Sequence, residues 1–351
     1  MLTFSVNTGV ARACAVALRD RSRPAVKNET SGRRTPIVVL TTLLGLASVA
    51  AAQTYPTRPI TMMVPQNVGG TNDIVGRIVA QKLGEVLGGS VVVENRPGAG
   101  GNIGTAQAAK APRDGYSLMM TVSSTQAINP ALYKNPGFDP VRDFTPISLI
   151  GAVPNVLVVN PAFPARTLKE FIEVTRAKPK FYQYASAGNG TLNHLLGEML
   201  GSYAGVQLQH VPYKGIAPAL NDVIGGQVPI AFATPAAVLQ HLKSGRLVAL
   251  GVSTPVRSPS LPGVPAIAEL LPGYGGSLWI ALYAPRGIAQ EIESQLQAAM
   301  KKALEMADLK EKLVAQGVEL TDATPAQLAT LLQEDLARWA KIVRESGATV
   351  D

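Results

Sequence analysis

Residues 91–104 read Val-Val-Val-Glu-Asn-Arg-Pro-Gly-Ala-Gly-Gly-Asn-Ile-Gly. No other stretch restricts the fold as much. Val91, Val92 and Val93 are β-branched and consecutive, the pattern of a buried strand. Pro97, Gly98, Gly100, Gly101 and Gly104 follow directly. Without a Cβ the backbone can turn sharply and approach another group closely. Thr105 to Lys110 then predicts a helix with Thr105 near its cap. Strand, glycine turn and helix in succession point to an α/β protein that handles a ligand.

The pattern recurs along the chain. Strands are expected at 60–64, 91–93, 117–122, 156–159, 182–185, 207–211, 230–232, 248–252 and 279–283. Helices are expected at 73–87, 105–110, 168–177, 191–204, 216–224 and 235–243, with a helical tail at 288–304, 308–316 and 325–346. Such alternation argues for parallel-rich sheets with helices on both faces. It restarts near residue 155, after a Pro- and Gly-rich stretch at 135–154. The expectation is two α/β lobes: 53–154 plus 278–351, and 155–277. Two crossings between lobes make a hinge and a cleft.

The N-terminal region stands apart. Arg33 and Arg34 precede the apolar run 37–47, and Ala50-Ala-Ala52 offers a cleavage box before Gln53. That is an export signal spanning 1–52, and the run is too short to cross a bilayer as an anchor. Paired arginines fit the twin-arginine route and Pro36 fits general secretion, so the route stays open. Residues 1 to about 30 make a long lead, which a start codon further downstream would explain. The leader carries seven basic and two acidic residues, so the formal charge of +8 falls to +3 for the remainder. A charge that small gives no case for nucleic acid. Cys14, the one cysteine, lies in the leader. An exported chain without it has no disulfide and no thiolate metal site.

Four turns lie just after expected strands, at the sheet edge where ligands bind in open α/β folds. The first, Pro65 to Asp73, sets Gly69, Gly70 and Thr71 at a helix start that attracts anions; Asp73 could instead cap those same N–H groups. The second is Ser123-Ser124-Thr125, three hydroxyls or a plain hydroxyl-stabilised turn. The third, Ser186 to Thr191, leads into a helix bearing His194. The fourth, Val211 to Gly215, offers Tyr213 as an aromatic wall and Lys214 as a cation.

Signals for an enzyme are poor. The three histidines, 194, 210 and 241, lack zinc-ligand spacing. No G-x-S-x-G elbow is present. Gly98 to Gly104 nearly matches G-x-G-x-x-G, but Ile103 stands at the third glycine and no ribose-binding acid follows. His194 reads as a packed or capping residue, and Trp279 and Trp339 read as core.

Several segments together resemble the Bug or TctC-type solute receptors of tripartite tricarboxylate transporters. They include Tyr55-Pro-Thr-Arg-Pro-Ile60, Val92 to Gly104, Asp114-Gly-Tyr116, Ala127 to Tyr133, Asp139 to Phe144, Ala185 to Thr191, His210 to Gly215 and Arg338 to Val343. The resemblance covers nearly the whole exported chain. It implies a two-domain, type II periplasmic-binding-protein (Venus-flytrap) fold with a cleft between the lobes. It implies a periplasmic, monomeric receptor that passes a small organic carboxylate to membrane transporter subunits, with no cofactor and no metal. A sensor presenting its ligand to a membrane kinase is the alternative, and a secreted enzyme using His194 with Ser186 the remoter one. Turns and resemblance together nominate Gln66, Gly69, Gly70, Thr71, Asn72, Asp73, Ser123, Ser124, Thr125, Ser186, Gly188, Asn189, Gly190, Thr191, His194, Tyr213, Ala233 and Thr234 as ligand-binding. Two departures from the family pattern stand out. Pro65-Gln-Asn-Val-Gly-Gly70 replaces a Pro-Phe-Pro-Pro-Gly-Gly loop. Ala233 and Thr234 follow Phe232 where an acid and an amide are usual, which removes a partner for a ligand ammonium and disfavours amino acids.

Overall fold

The computed structural model describes residues 55–350; the proposed export signal and cleavage site lie outside them. The first sheet begins with β1 (Ile60–Val64), α1 (Thr71–Leu87), β2 (Val91–Asn95), α2 (Asn102–Ala109) and β3 (Ser117–Val122). β1 pairs in parallel with β2 and β3, as βαβ connections require. α1 buries Val75, Val79 and Leu83 against this sheet and stops at Gly88, whose φ of +68° ends the helix in the left-handed region.

A short 3₁₀ turn, Ala99–Gly101, starts α2 three residues earlier than expected. Thr105 is therefore buried in mid-helix, and Gly101 sits at the cap. Gly101 has φ +98°, and a Cβ there would lie 2.7 Å from Thr125 Oγ1 and 2.9 Å from Gln66 Nε2. The close approach inferred from the glycine run is real at this residue.

After β3 come a π-helical turn (Ser124–Ile128) and the short α3 (Asn129–Leu132). β4 (Phe144–Val153) then runs through what reads as a Pro/Gly linker. Pro146 is accommodated beside a register shift opposite β10 (Leu278–Pro285). Gly151 lets β11 (Glu319–Leu320) approach, since a Cβ there would run into Glu319 O. The six-stranded order is β11-β4-β10-β3-β1-β2.

The second sheet comes from β5 (Val156–Val159), α4 (Leu168–Ala177), β6 (Gln183–Ser186), α5 (Leu192–Ala204), β7 (Gln209–Pro212), α6 (Ile216–Ile224), β8 (Ile230–Ala233), α7 (Pro235–Lys243) and β9 (Val248–Val252). Its order is β7-β6-β8-β5-β9. The parallel-rich expectation needs correcting: β5 is antiparallel to β8 and β9, and β10 is antiparallel to β3 and β4. Strands next to the two crossings reverse direction, so both sheets are mixed. The sheets and their helices form the two lobes.

The helical tail divides. α8 (Gln290–Glu305) and α9 (Ala307–Ala315) pack on α1 in the first lobe. α10 (Pro325–Ser346) starts from a Thr324/Gln327 capping box and straddles both lobes, against β4 and the π turn on one side and α5 on the other. Trp339 on α10 and Trp279 on β10 are fully buried in a core that also holds Leu157 and Phe232 of the second lobe. Trp279 Nε1 donates to Asp335 of α10 at 2.8 Å. That carboxylate also takes Arg338 at 2.7 Å, so a buried charge is paired and bonded.

Candidate functional site

A cleft of about 280 Å³ opens between the lobes. Ser124, Asn129, Leu132 and Tyr133 line it from the turn after β3; Asn189 to Asn193 and Thr234 line it from the second lobe; Asn155, Leu278 and Val350 complete it. Of the expected residues, the fold brings together Ser124, Asn189, Gly190, Thr191 and Thr234. A larger hollow of about 690 Å³, between β4, α8 and the start of α10, holds none of them.

The π turn explains the placing of Ser124. One extra residue per turn, a distortion often found at functional sites, presents Ser124 to the cleft. The same turn buries Ser123, whose hydroxyl donates to Ser277 O at 2.9 Å. Thr125 donates to Gly100 O and receives Gln66 Nε2, both at 3.0 Å. Ser123 and Thr125 thus fix the turn from behind.

On the second lobe, Thr191 caps α5. It accepts from His194 N at 3.4 Å and donates to Gly188 O at 2.7 Å. Gly190 N–H donates to His194 Nδ1 at 3.0 Å, and Gly188 N–H to Ser186 Oγ at 3.1 Å. The expected anion cradle is therefore largely occupied by its own loop. Among the described residues, the Leu192 and Asn193 N–H groups have no protein acceptor, and both residues line the cleft. They are the first two donors of α5 and carry its positive dipole end. Thr234 stands at the start of α7 with no cap bond from its side chain. Asn193 is itself fixed, donating to Asn155 Oδ1 at 2.8 Å and to Phe232 O at 2.7 Å.

His194 is buried and bonded within its own lobe. Its buried ring stacks on His210 at 3.9 Å, with 11° between planes. Burial pushes both rings down to about 4, His210 with help from its neighbour's charge. Nδ1 as acceptor from Gly190 requires the neutral form at that atom. Ser186, fully buried, meets His210 Nε2 at 2.6 Å rather than His194. The Ser186–His194 pair of the enzyme alternative does not form.

Other nominated residues lie off this cleft. Asp73 is buried and accepts from Gly69 N–H at 2.8 Å, Asn95 at 2.9 Å and Arg77. Those bonds outweigh burial and hold its carboxyl below the usual range. It caps its own loop, the second of the two roles left open for it. Asn72 reaches Met120 O at 2.9 Å and also Gln66 Oε1. Gly69 and Gly70 on the loop after β1 and Thr71, the first residue of α1, are exposed. The Tyr213 hydroxyl bonds Asp222 at 2.6 Å, which raises it to about 12. Ala233 is buried in the second lobe's core. Conversely, Leu132, Asn155, Asn193 and Leu278 line the cleft without any sign in the sequence: the leucines look like core, and the asparagines fall outside the four candidate turns.

Two mixed α/β sheets, two crossings and a polar cleft between them define a two-lobed periplasmic-binding-protein fold. The chain belongs to the tripartite tricarboxylate transporter family receptors, whose family model matches residues 75–348. It is 39% identical over 306 residues to protein BugT of Bordetella pertussis, covering 87% of this chain and 94% of that one. An R. palustris protein solved with adipate is 34% identical with a TM-score of 0.71, over 84% of this chain and 99% of that one. MatC from Rhodopseudomonas palustris, solved with malate, is 31% identical with a TM-score of 0.68, over 82% and 100%. No described helix is long and apolar enough to cross a membrane, and no described group of three or more His, Cys, Asp or Glu side chains could hold a metal.

Proposed function

We propose that this protein is a periplasmic receptor that captures a small organic carboxylate between its lobes and delivers it to membrane transporter subunits. The observation that carries this reading is the convergence of uncharged donors on one cleft. Ser124 from one lobe and Thr234, Leu192 and Asn193 from the other line it, and the Leu192 and Asn193 N–H groups have no protein acceptor among the described residues. A carboxylate there would accept charge-assisted bonds, each contributing about 1.5–3 kcal/mol. Contacts from both lobes would make binding favour the closed form. The adipate and malate held by the two R. palustris relatives support a carboxylate ligand.

The test is a thermal-shift screen of mono-, di- and tricarboxylates, followed by calorimetry on the best. A ligand of the folded state raises the apparent melting temperature. The bound compound is expected to be recovered chemically intact, with affinity unchanged by EDTA. A new product, or loss of binding on chelation, would replace the receptor reading with an enzymatic or metal-dependent one.

A further inference from the structure

Four asparagines line the cleft, and they differ in what their amides are free to do. Asn129 Nδ2 is committed to Gly100 O at 3.0 Å and to Asn102 Oδ1 at 2.7 Å. Asn193 Nδ2 is committed to Asn155 Oδ1 and Phe232 O. Asn189 is exposed. Asn155 differs from all three. It is only 2% exposed, and its Nδ2 has no protein acceptor among the described residues. Nor is that Nδ2 one of the polar atoms sealed from solvent without a partner. In a buried side chain that lines the cleft, the open side of this atom is the cleft.

Which end of the Asn155 amide is uncommitted follows from hydrogen-bond chemistry. Phe232 O can only accept, so the Asn193 atom 2.7 Å from it is the amino group. That same amino group lies 2.8 Å from the Asn155 amide, so it meets the carbonyl oxygen there. The Asn155 amino group is left over, as a donor. The main chain behind it is held: Asn155 N–H donates to Ser253 Oγ at 3.0 Å, and Asn155 O accepts from Ser253 N–H at 2.7 Å. A donor fixed in this way needs little ordering when a ligand arrives. It shares the cleft with the unpartnered Leu192 and Asn193 N–H groups.

Building on the carboxylate-receptor reading, we propose that Asn155 is a specificity-determining residue: its Nδ2 donates to the bound carboxylate and favours the acid over its primary amide. A carboxylate offers acceptors only. An amide turns its own NH2 toward one of these donors and leaves both groups unpaired.

The experiment is calorimetric titration of the exported chain with adipate, malate, citrate and benzoate, each beside its primary amide. In wild type the tightest-binding acid should exceed its amide by at least about tenfold. Asn155→Asp keeps the size, the main-chain bonds and the acceptor for Asn193, and puts an oxygen where Nδ2 stood. Its fold is checked by a thermal melt without ligand. The variant should lose at least about tenfold in affinity for that acid and should bind the amide more tightly than the acid. A residue that only supported Asn193 would weaken both without changing their order. Independently of any variant, NMR of the wild-type chain should show an Asn155 side-chain amide proton moving downfield as the acid is added. A folded Asn155→Asp that still prefers the acid, or an Asn155 amide proton that the acid leaves unmoved, would overturn the proposal and leave the receptor reading standing. Absence of binding by all of these acids would overturn both.

Discussion

Asn155 and Ser253 exchange hydrogen bonds between the two inter-lobe crossings: Ser253 N–H donates to Asn155 O at 2.7 Å, and Asn155 N–H donates to Ser253 Oγ at 3.0 Å. Ser253 Oγ passes its own proton on to Gly276 O at 2.6 Å, and Gly276 N–H returns to Ser253 O at 2.9 Å. One buried serine therefore ties the outgoing strand connection to the returning one. Asn155 Oδ1 in turn holds Asn193 at the cleft, so hinge and site share a residue.

Ser253→Ala leaves the Asn155 N–H and Gly276 C=O without their partner in a buried setting. We expect a loss of about 1–3 kcal/mol in folding stability, read by urea denaturation. A loss under 0.5 kcal/mol would show that the crossings do not depend on this side chain.

Gly190→Ala tests the contact between the lobes at the ligand loop. Gly190 has φ +73°, where an L-residue is strained by about 1–2 kcal/mol. The added Cβ would also displace the Leu132 and Val350 methyls. Stability should fall by at least the strain, and carboxylate affinity should fall further because the lobes meet less closely. Wild-type affinity in this variant would show that the ligand does not need that closure contact.

Thr191→Val separates cap from ligand donor. The hydroxyl is engaged with His194 N and Gly188 O, so its removal should cost about 0.5–2 kcal/mol of stability. Binding should weaken only modestly through the loop. A large affinity loss with an unchanged melt would place the hydroxyl on the ligand instead.

Acidification should destabilise the histidine pair. His194 and His210 titrate at about 4 in the folded chain and near 6.5 unfolded. Between those values the unfolded state binds more protons, so their contribution is intact above pH 6.5 and is lost as pH falls toward 4. Glu198, 3.7 Å from His194 and raised by burial, acts in the opposite direction. The informative comparison is thus wild type against His210→Phe, which should lose less melting temperature between pH 6.5 and 4.5. Parallel curves would contradict the assignment.

Much of the alternation was legible because βα units carry local signals: β-branched runs, glycine ends and helical periodicity. α10 even begins and ends where Pro325 and Gly347 suggest. β4 was not legible, because Pro146 and Gly151 mimic a linker while tertiary pairing with β10 and β11 supplies the strand. The candidate turns were visible too, but their allegiance was not. Whether Asp73, His194 or Tyr213 faces a ligand or its own backbone depends on partners such as Asn95, Gly190 and Asp222 that only the fold brings near. Leu132, Leu278 and Val350 carried no signal, since a hydrophobic cleft wall and a hydrophobic core share one composition.

The central claim, a carboxylate held between the lobes by uncharged donors, is tested most directly by paired calorimetric titrations. The best carboxylate from the screen and its primary amide are titrated into wild type and into the Ser124→Ala/Thr234→Val double variant, which alters one donor on each side of the cleft. The account predicts one carboxylate per chain in wild type, no measurable binding of the amide, and at least a tenfold loss of carboxylate affinity in the variant with the melt retained. Equal binding of acid and amide, or undiminished affinity in the well-folded double variant, would contradict it.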